Sequence, residues 1–497
     1  MYDANHLIRK LAANGPWDKV FATRPGAADM TYGALFEGAE RMAAALVAAG
    51  LKPGDRVAVQ VEKSLEAVQL YLGTVMAGGV FLPLNTAYTG PEVAYFIGDA
   101  TPRVVVCDPS SQAEVAALAA DAVVMTLGPD GEGTLPEAAR RDSRFGAVAR
   151  GPDDLAAILY TSGTTGRSKG AMLSHANLAS NSETLCQVWG FTERDVLIHA
   201  LPIFHTHGLF VATNVALLAG ASVHFLPRFD ADAIIAAMPE ATALMGVPTF
   251  YTRLLDHPGL TQERTQTMRL FVSGSAPLLV ETHERWEAAT GHRILERYGM
   301  TETNMNTSNP LDGERRAGTA GRPLPGVELR VMRDGMKVPQ GEIGVIEVRG
   351  PNVFQGYWQM PEKTAEELRP DGWFITGDQG MVDADGYVTI VGREKDMVIT
   401  GGFNVYPKEV ESVIDALPGV RESAVIGVPH PDLGEAVVAV VVPDGGIDEA
   451  DIQAALASGL ARFKQPKRVI MVDELPRNTM GKVQKKALRE DHASLFS

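Results

Sequence analysis

The sequence predicts an α/β protein of stacked layers, followed by a smaller α+β unit. Three observations carry that expectation. Apolar strand runs alternate with helical periodicities along most of the chain, a rhythm that belongs to stacked α/β layers. Glycine-rich turns fall where the strands end. A new rhythm begins after a compact charge run, Arg393-Glu394-Lys395-Asp396. At 497 residues the chain is too long for one core, so two or more domains are expected. The boundary is placed at the charge run, giving units 1–394 and 395–497.

Each element follows from local pattern. Tyr32 to Ala49 carries apolar residues at helical spacing and stops at Gly50, a favourable C-terminal cap. Arg56–Val61 reads as a strand and Leu65–Met76 as an apolar-faced helix closed by Gly78-Gly79. Val80–Leu84, Arg103–Cys107 and Leu155–Leu159 are strands. Val196–Leu201, Leu209–Leu218, Ser222–Leu226 and Ala231–Met238 continue as strand, helix, strand, helix. Met245 to Arg253 and Leu270 to Pro277 each read as a buried strand breaking into a small-residue turn. Gly350–Tyr357 and Trp373–Asp378 read as β-rich turns. Beyond the charge run, Pro407 opens a helix at a position suited to proline. Strands Ser423–Val428 and Ala436–Val442, helix Glu449–Leu460 and strand Arg468–Val472 follow.

Composition excludes several classes. Apolar content of 45% and charged content of 21% suit an ordinary globular chain. A formal net charge of −16 argues against a nucleic-acid partner and an anionic membrane surface. Two cysteines, Cys107 and Cys186, make no disulfide framework and suit a reducing compartment. Met1 to Ala12 lacks the apolar core of a signal peptide. No run reaches the roughly 18 apolar residues of a membrane span. A cytoplasmic protein is expected.

The most informative stretch runs from Tyr160 to Gly170: Tyr-Thr-Ser-Gly-Thr-Thr-Gly-Arg-Ser-Lys-Gly. No packed core wants that composition, but a polyphosphate does. Glycines let backbone N–H groups approach phosphate oxygens, hydroxyls add donors, and Arg167 and Lys169 add charge. The alternative is a solvated turn. The order of residues around Lys169 is not that of a Walker A loop.

Other candidates stand at strand ends, where ligands bind in open α/β sheets. The loop Pro202-Ile203-Phe204-His205-Thr206-His207-Gly208 is a candidate pocket wall, with structural histidines as the alternative. Glu302 reads as a helix N-terminal carboxylate or a magnesium ligand. Asp378 reads as a turn carboxylate or an acceptor for a ribose diol. Lys482, in Pro476-Arg477-Asn478-Thr479-Met480-Gly481-Lys482-Val483, reads alone as a surface lysine.

Together these stretches resemble the adenylate-forming superfamily: acyl-CoA synthetases, luciferases and the adenylation domains of nonribosomal peptide synthetases. Tyr160–Gly170, Tyr298–Thr303, Thr376–Asp378, Gly392–Asn404 and Pro476–Lys482 occur in that family's order. The resemblance implies a large N-terminal domain of two helix-flanked sheets plus a β-rich subdomain, and a small mobile C-terminal domain hinged at Lys395. It implies ATP, Mg2+ and coenzyme A. Thr161, Ser162, Gly163, Thr164, Thr165, Gly166 and Lys169 would cradle the β- and γ-phosphates. Thr301 would contact the α-phosphate, and Glu302, with Thr161, would hold magnesium. Gly274, Ser275, Ala276, Pro277 and Tyr298 would line the adenine slot, with Glu296 and Gly299 beside them. Asp378 and Arg393 would hold the ribose. Lys482 would enter for adenylation only, while Gly401 and Gly402 would line the pantetheine tunnel. Lys482 is also a candidate target of a protein lysine acetyltransferase and deacetylase.

The finer resemblance is to malonyl-CoA synthetases, through Glu296 to Ser308 and Gly246 to Arg253. It implies that Arg253, Ser275 and Arg297 surround a distal carboxylate, with His205 on the pocket wall as a catalytic and substrate-facing residue. A buried carboxylate needs such a partner, and a guanidinium matches it bidentately. The alternatives are an ion pair with Glu296 for Arg297 and a helix-surface charge for Arg253.

Overall fold

The structure is a computed structural model that describes residues 2–14, 17–119, 121–139, 144–161, 168–400, 403–460, 462–478 and 481–496. The expectations for Ser162, Gly163, Thr164, Thr165, Gly166, Gly401 and Gly402 lie outside these residues.

The described strands form four sheets. In the six-stranded sheet the order is Val123–Thr126, Val104–Cys107, Arg56–Gln60, Val80–Pro83, Leu155–Thr161, Lys169–Ser174. All neighbours are parallel except the last pair. The nine-stranded sheet has a parallel centre made of Val20–Thr23, Ser222–Phe225, Val196–His199, Ala243–Gly246, Leu270–Ser273 and Leu295–Met300. Such strands are buried on both faces, which is why they read as unbroken apolar runs. A five-stranded antiparallel sheet spans Glu328 to Arg393. The fourth sheet is built from strands that start at Val398 or later.

Helices Tyr32–Ala48 and Leu65–Met76 pack together in the largest core. Ser64 caps the second by accepting from Ala67 N, and Gly73 permits the close approach, since a Cβ there would lie 2.7 Å from the Ala39 carbonyl oxygen. The C-terminal strands enclose separate small cores around Val425 and Ile426. Among the described residues, no helix is long and apolar enough to cross a membrane.

Several local readings differ from the structure. The helix expected at Leu209 begins at His207 as a π-helix, His207–Thr213, before continuing as Asn214–Ala219. Gly208 causes the tight start, because a Cβ there would meet the Pro202 carbonyl oxygen at 1.9 Å. The strand before Arg253 ends at Gly246, and Pro248–Leu255 is a helix initiated by its proline. Glu302 stands in a turn between antiparallel strands Leu295–Met300 and Asn304–Ser308, so no helix N-terminus is present there. Lys169–Ser174 is a strand that periodicity did not flag, because its face is covered by residues distant in sequence.

Candidate active site

The site is built where strands end. Thr161 closes one strand and Lys169 opens its antiparallel neighbour, and the two residues pair directly. Lys169 is 7% exposed, and its Nζ stands 3.1 and 3.3 Å from the Glu367 carboxylate oxygens. The same ammonium lies 4.1 Å from the centre of the Tyr357 ring. The Tyr357 hydroxyl donates to Glu367 Oε2 at 2.6 Å and stands 3.0 Å from Glu302 Oε1. Glu302 is buried, and that burial pushes its carboxyl up, against opposing hydrogen bonds and the pull of Arg393. Thr301 is half-buried in the same turn.

Across the crevice, Tyr298 donates its hydroxyl to Asp378 Oδ2 at 2.5 Å. Burial, then Asp378, hold that phenol well above its usual pKa. Asp378 Oδ1 meets Arg393 Nε at 2.5 Å across paired strands. The expected turn at Trp373–Asp378 is instead part of the strand Phe374–Val382, bent at Gly377 (φ +69°), where the Asp378 backbone N–H donates to Thr376 Oγ1 at 3.0 Å. Burial lowers the Arg393 pKa, but Asp378, Tyr298 and Glu302 more than offset it.

Lys482 is exposed but stands at the same crevice. The surrounding protein, then Arg393, lower its pKa, while Asp378 raises it. The loop is held by Lys482 N donating to Asn478 Oδ1 at 2.9 Å. Neighbouring Gly481 has φ +72°, and a Cβ there would lie 2.9 Å from Thr249 Oγ1. The C-terminal loop therefore abuts the start of helix Pro248–Leu255. Lys395 is exposed in the short turn Glu394–Asp396, and burial of its surroundings lowers its pKa.

The pocket beyond this crevice centres on Arg297. Its side chain is 5% exposed, and Nε and Nη2 have no hydrogen-bond partner. Burial pulls its pKa down to about 9. Arg297 lies flat against Gly274, where a Cβ would come within 2.3 Å of the guanidinium carbon. The expected alternative of a pair with Glu296 does not form. Glu296 faces His283 at 3.6 Å and accepts from Gly318 N instead. Ser275 holds a left-handed backbone, φ 72°, and its hydroxyl is 3.3 Å from His207 Nδ1. His207 Nε2 is buried without a partner. Burial, then Arg297, push His205 down to about 4 and His207 well below its usual range. Lys482 acts on His205 in the same direction, which joins the pocket to the crevice.

Ala276 and Gly299 lie on the adjoining turn and strand, half-buried, whereas Pro277 is exposed. Arg253 does not join the Arg297 pocket by any described contact. It is exposed on the last turn of its helix, 5.6 Å from the Phe229 ring centre. Glu367 and the Tyr357 hydroxyl were missed from the sequence. Pro361 opening the helix Pro361–Glu367 was the available signal, but nothing local ties Glu367 to a lysine far away in the chain.

The AMP-binding enzyme family matches residues 8–358, and its C-terminal domain matches residues 409–482. The chain belongs to this family. It is an adenylate-forming CoA ligase, and it resembles malonyl-CoA synthetases. An ATP-bound crystal structure of MatB from Rhodopseudomonas palustris is 62% identical, with a TM-score of 0.97, covering 99% of this chain and 100% of that one. A malonate–CoA ligase of Arabidopsis thaliana is 36% identical over 89% of this chain and 78% of its own length. A feruloyl-CoA synthase of an Amycolatopsis species is 38% identical over 94% of this chain and 95% of its own.

Proposed function

We propose that this enzyme ligates malonate to coenzyme A through a malonyl-adenylate. One malonate carboxylate attacks the α-phosphorus of ATP and pyrophosphate leaves. The coenzyme A thiol then attacks the acyl carbon and AMP leaves. The observation that carries the malonate assignment is the buried Arg297 guanidinium with two unpartnered nitrogens. A guanidinium costs several kcal/mol to desolvate, and a carboxylate entering beside it offsets that cost. An acyl chain would leave the charge unpaired. The strained Ser275 and the unpartnered face of His207 add polar groups to the same pocket.

The attacking carboxylate is already ionised and needs no base. The barrier lies in bringing two anions together. In this reading Thr161, Lys169 and the loop residues 162–166 hold the β- and γ-phosphates. Thr301 faces the α-phosphate, Asp378 and Arg393 hold the ribose, and the turn Gly274–Pro277 with Tyr298 borders adenine. Lys482 places its ammonium between the phosphate and the attacking oxygen, next to His205. Glu302, with a buried carboxylate, and Thr161, with a hydroxyl, would hold a magnesium ion, the oxygen donors that such a hard cation takes. The ion neutralises phosphate charge when bound. The Tyr357 contact holds the Glu302 carboxyl oriented in a site with little solvent. The C-terminal unit then rotates at Lys395, removing Lys482 and bringing Gly401 and Gly402 to the thiol channel.

The test is CoA-thioester formation with malonate, methylmalonate, succinate, acetate, butyrate and a long fatty acid. Malonate is expected to give the highest kcat/KM, with methylmalonate within about 1–3 kcal/mol, since one methylene-sized change discriminates no more than that. A preference for acetate or the fatty acid overturns the assignment.

A further inference from the structure

Lys63 lies in no motif of the reaction, yet its surroundings are unusual. It precedes Ser64, the cap of helix Leu65–Met76, on a crossover of the six-stranded sheet. Its side chain reaches the nine-stranded sheet. There Nζ donates to the carbonyl oxygens of His199 at 2.8 Å and Leu226 at 2.7 Å. These carbonyls sit at the carboxyl ends of strands Val196–His199 and Ser222–Phe225, the edge that faces the crevice. Its third contact is His199 Nδ1, at 3.1 Å. The Phe225 ring centre is 4.4 Å away. Among the described residues no carboxylate pairs with this lysine, and burial lowers its pKa well below the usual value.

An ammonium has three donors and no acceptor. His199 Nδ1 accepts from it in the tautomer whose ring proton is on Nε2, the tautomer that can donate to the Gly208 carbonyl oxygen, which itself can only accept. Nε2 stands 3.0 Å from the Gly208 carbonyl oxygen and 3.0 Å from Thr213 Oγ1. Thr213 itself donates to Gly208 O at 2.9 Å. Gly208 follows His207, whose ring meets Ser275 in the Arg297 pocket. One hydrogen-bond chain thus runs from Lys63 through His199 to the backbone that carries His205 and His207. It spans both sheets.

We propose that Lys63, acting through His199, is a positioning residue for the acid pocket. It selects the His199 tautomer that clamps Gly208, and so sets the place of His207 and His205 against Ser275 and Arg297. The clamp falls on the π-helical start His207–Thr213, a winding that is rare and frequently found at functional sites. This inference rests on the assignment of the Arg297 pocket to the acid.

The experiment measures KM for malonate and for ATP, and kcat, in Lys63→Met, His199→Leu, His199→Gln, the double variant Lys63→Met/His199→Leu, and Arg297→Ala as a control. Lys63→Met and His199→Leu are expected to raise the malonate KM at least tenfold with the ATP KM within twofold. His199→Gln, whose amide can still donate to Gly208, should recover most of the His199→Leu loss. The double variant should be no worse than the worse single, because both break one chain. If Lys63→Met fails to fold, the His199 pair makes the same comparison. Malonate and ATP constants rising together overturn the inference, as does no recovery in His199→Gln. An unmoved malonate KM in the Lys63 and His199 variants overturns it alone when Arg297→Ala still raises that constant. If Arg297→Ala has no effect either, the pocket assignment falls as well.

Discussion

In the proposed function a single guanidinium, that of Arg297, selects the acid. Arg297 is held by Gly274 on one face and lacks partners on two of its nitrogens. Gly274→Ala places a methyl 2.3 Å from the guanidinium carbon, and the flexible arginine must yield. The malonate KM should rise about tenfold, equivalent to ~1.4 kcal/mol, with little change in melting temperature. An unchanged KM would show that Arg297 tolerates displacement and does not set the pocket. This arginine was visible in the sequence as part of Glu296-Arg297-Tyr298, but its isolation was not. A neighbouring carboxylate in sequence suggested a pair, yet adjacent strand residues point to opposite faces, and Glu296 turns to His283 instead. Arg253 shows the converse. Its segment matched the malonyl-CoA synthetase pattern, while its side chain stands exposed on a helix turn.

At the level of elements, strand ends deliver the site and a capped helix supports it. Helix His175–Val188 starts with a reciprocal cap between Ser174 and Asn177. Its first residue, His175, is fully buried, with Nδ1 3.4 Å from Leu7 N and Nε2 unpartnered. Burial, then Arg150, push it down to about 4. The unfolded chain takes up this proton near the usual histidine value of about 6.5, so below that pH the unfolded state binds more protons than the fold. Stability from the neutral His175 is present above that value and is lost as pH falls toward 4. Wild type should lose about 3 kcal/mol more than His175→Asn between pH 7 and pH 4, at ~1.4 kcal/mol per pKa unit. Urea unfolding of both at several pH values checks this, and parallel losses would mean that His175 is charged in the fold. The parallel strands were legible because burial on both faces leaves unbroken apolar runs. The π-helical start at His207 was not, because a close carbonyl from Pro202 causes it.

Across the whole molecule, groups far apart in sequence meet at one crevice. Lys169 joins Glu302 through Glu367 and Tyr357, and Glu302 acts on Arg393, which pairs with Asp378. Asp378 binds Tyr298, next to Arg297. Motif order made most of these residues legible, but the bridge through Glu367 depends on tertiary contact alone. Lys482 touches this crevice from the C-terminal unit. Lys482→Ala should cut malonate-dependent pyrophosphate release by about 10²–10³-fold, or ~2.7–4 kcal/mol, as loss of a preorganised donor does. Thioester formation from supplied malonyl-adenylate should survive, and equal loss of both steps would contradict a role confined to adenylation. The most direct measurement compares kcat/KM for malonate and for acetate in wild type and Arg297→Ala. Malonate should fall by ~2–5 kcal/mol, the cost of truncating one partner of a buried charge pair, while acetate stays within a few-fold. If the two acids fall together, or malonate is unaffected, Arg297 does not read the second carboxylate.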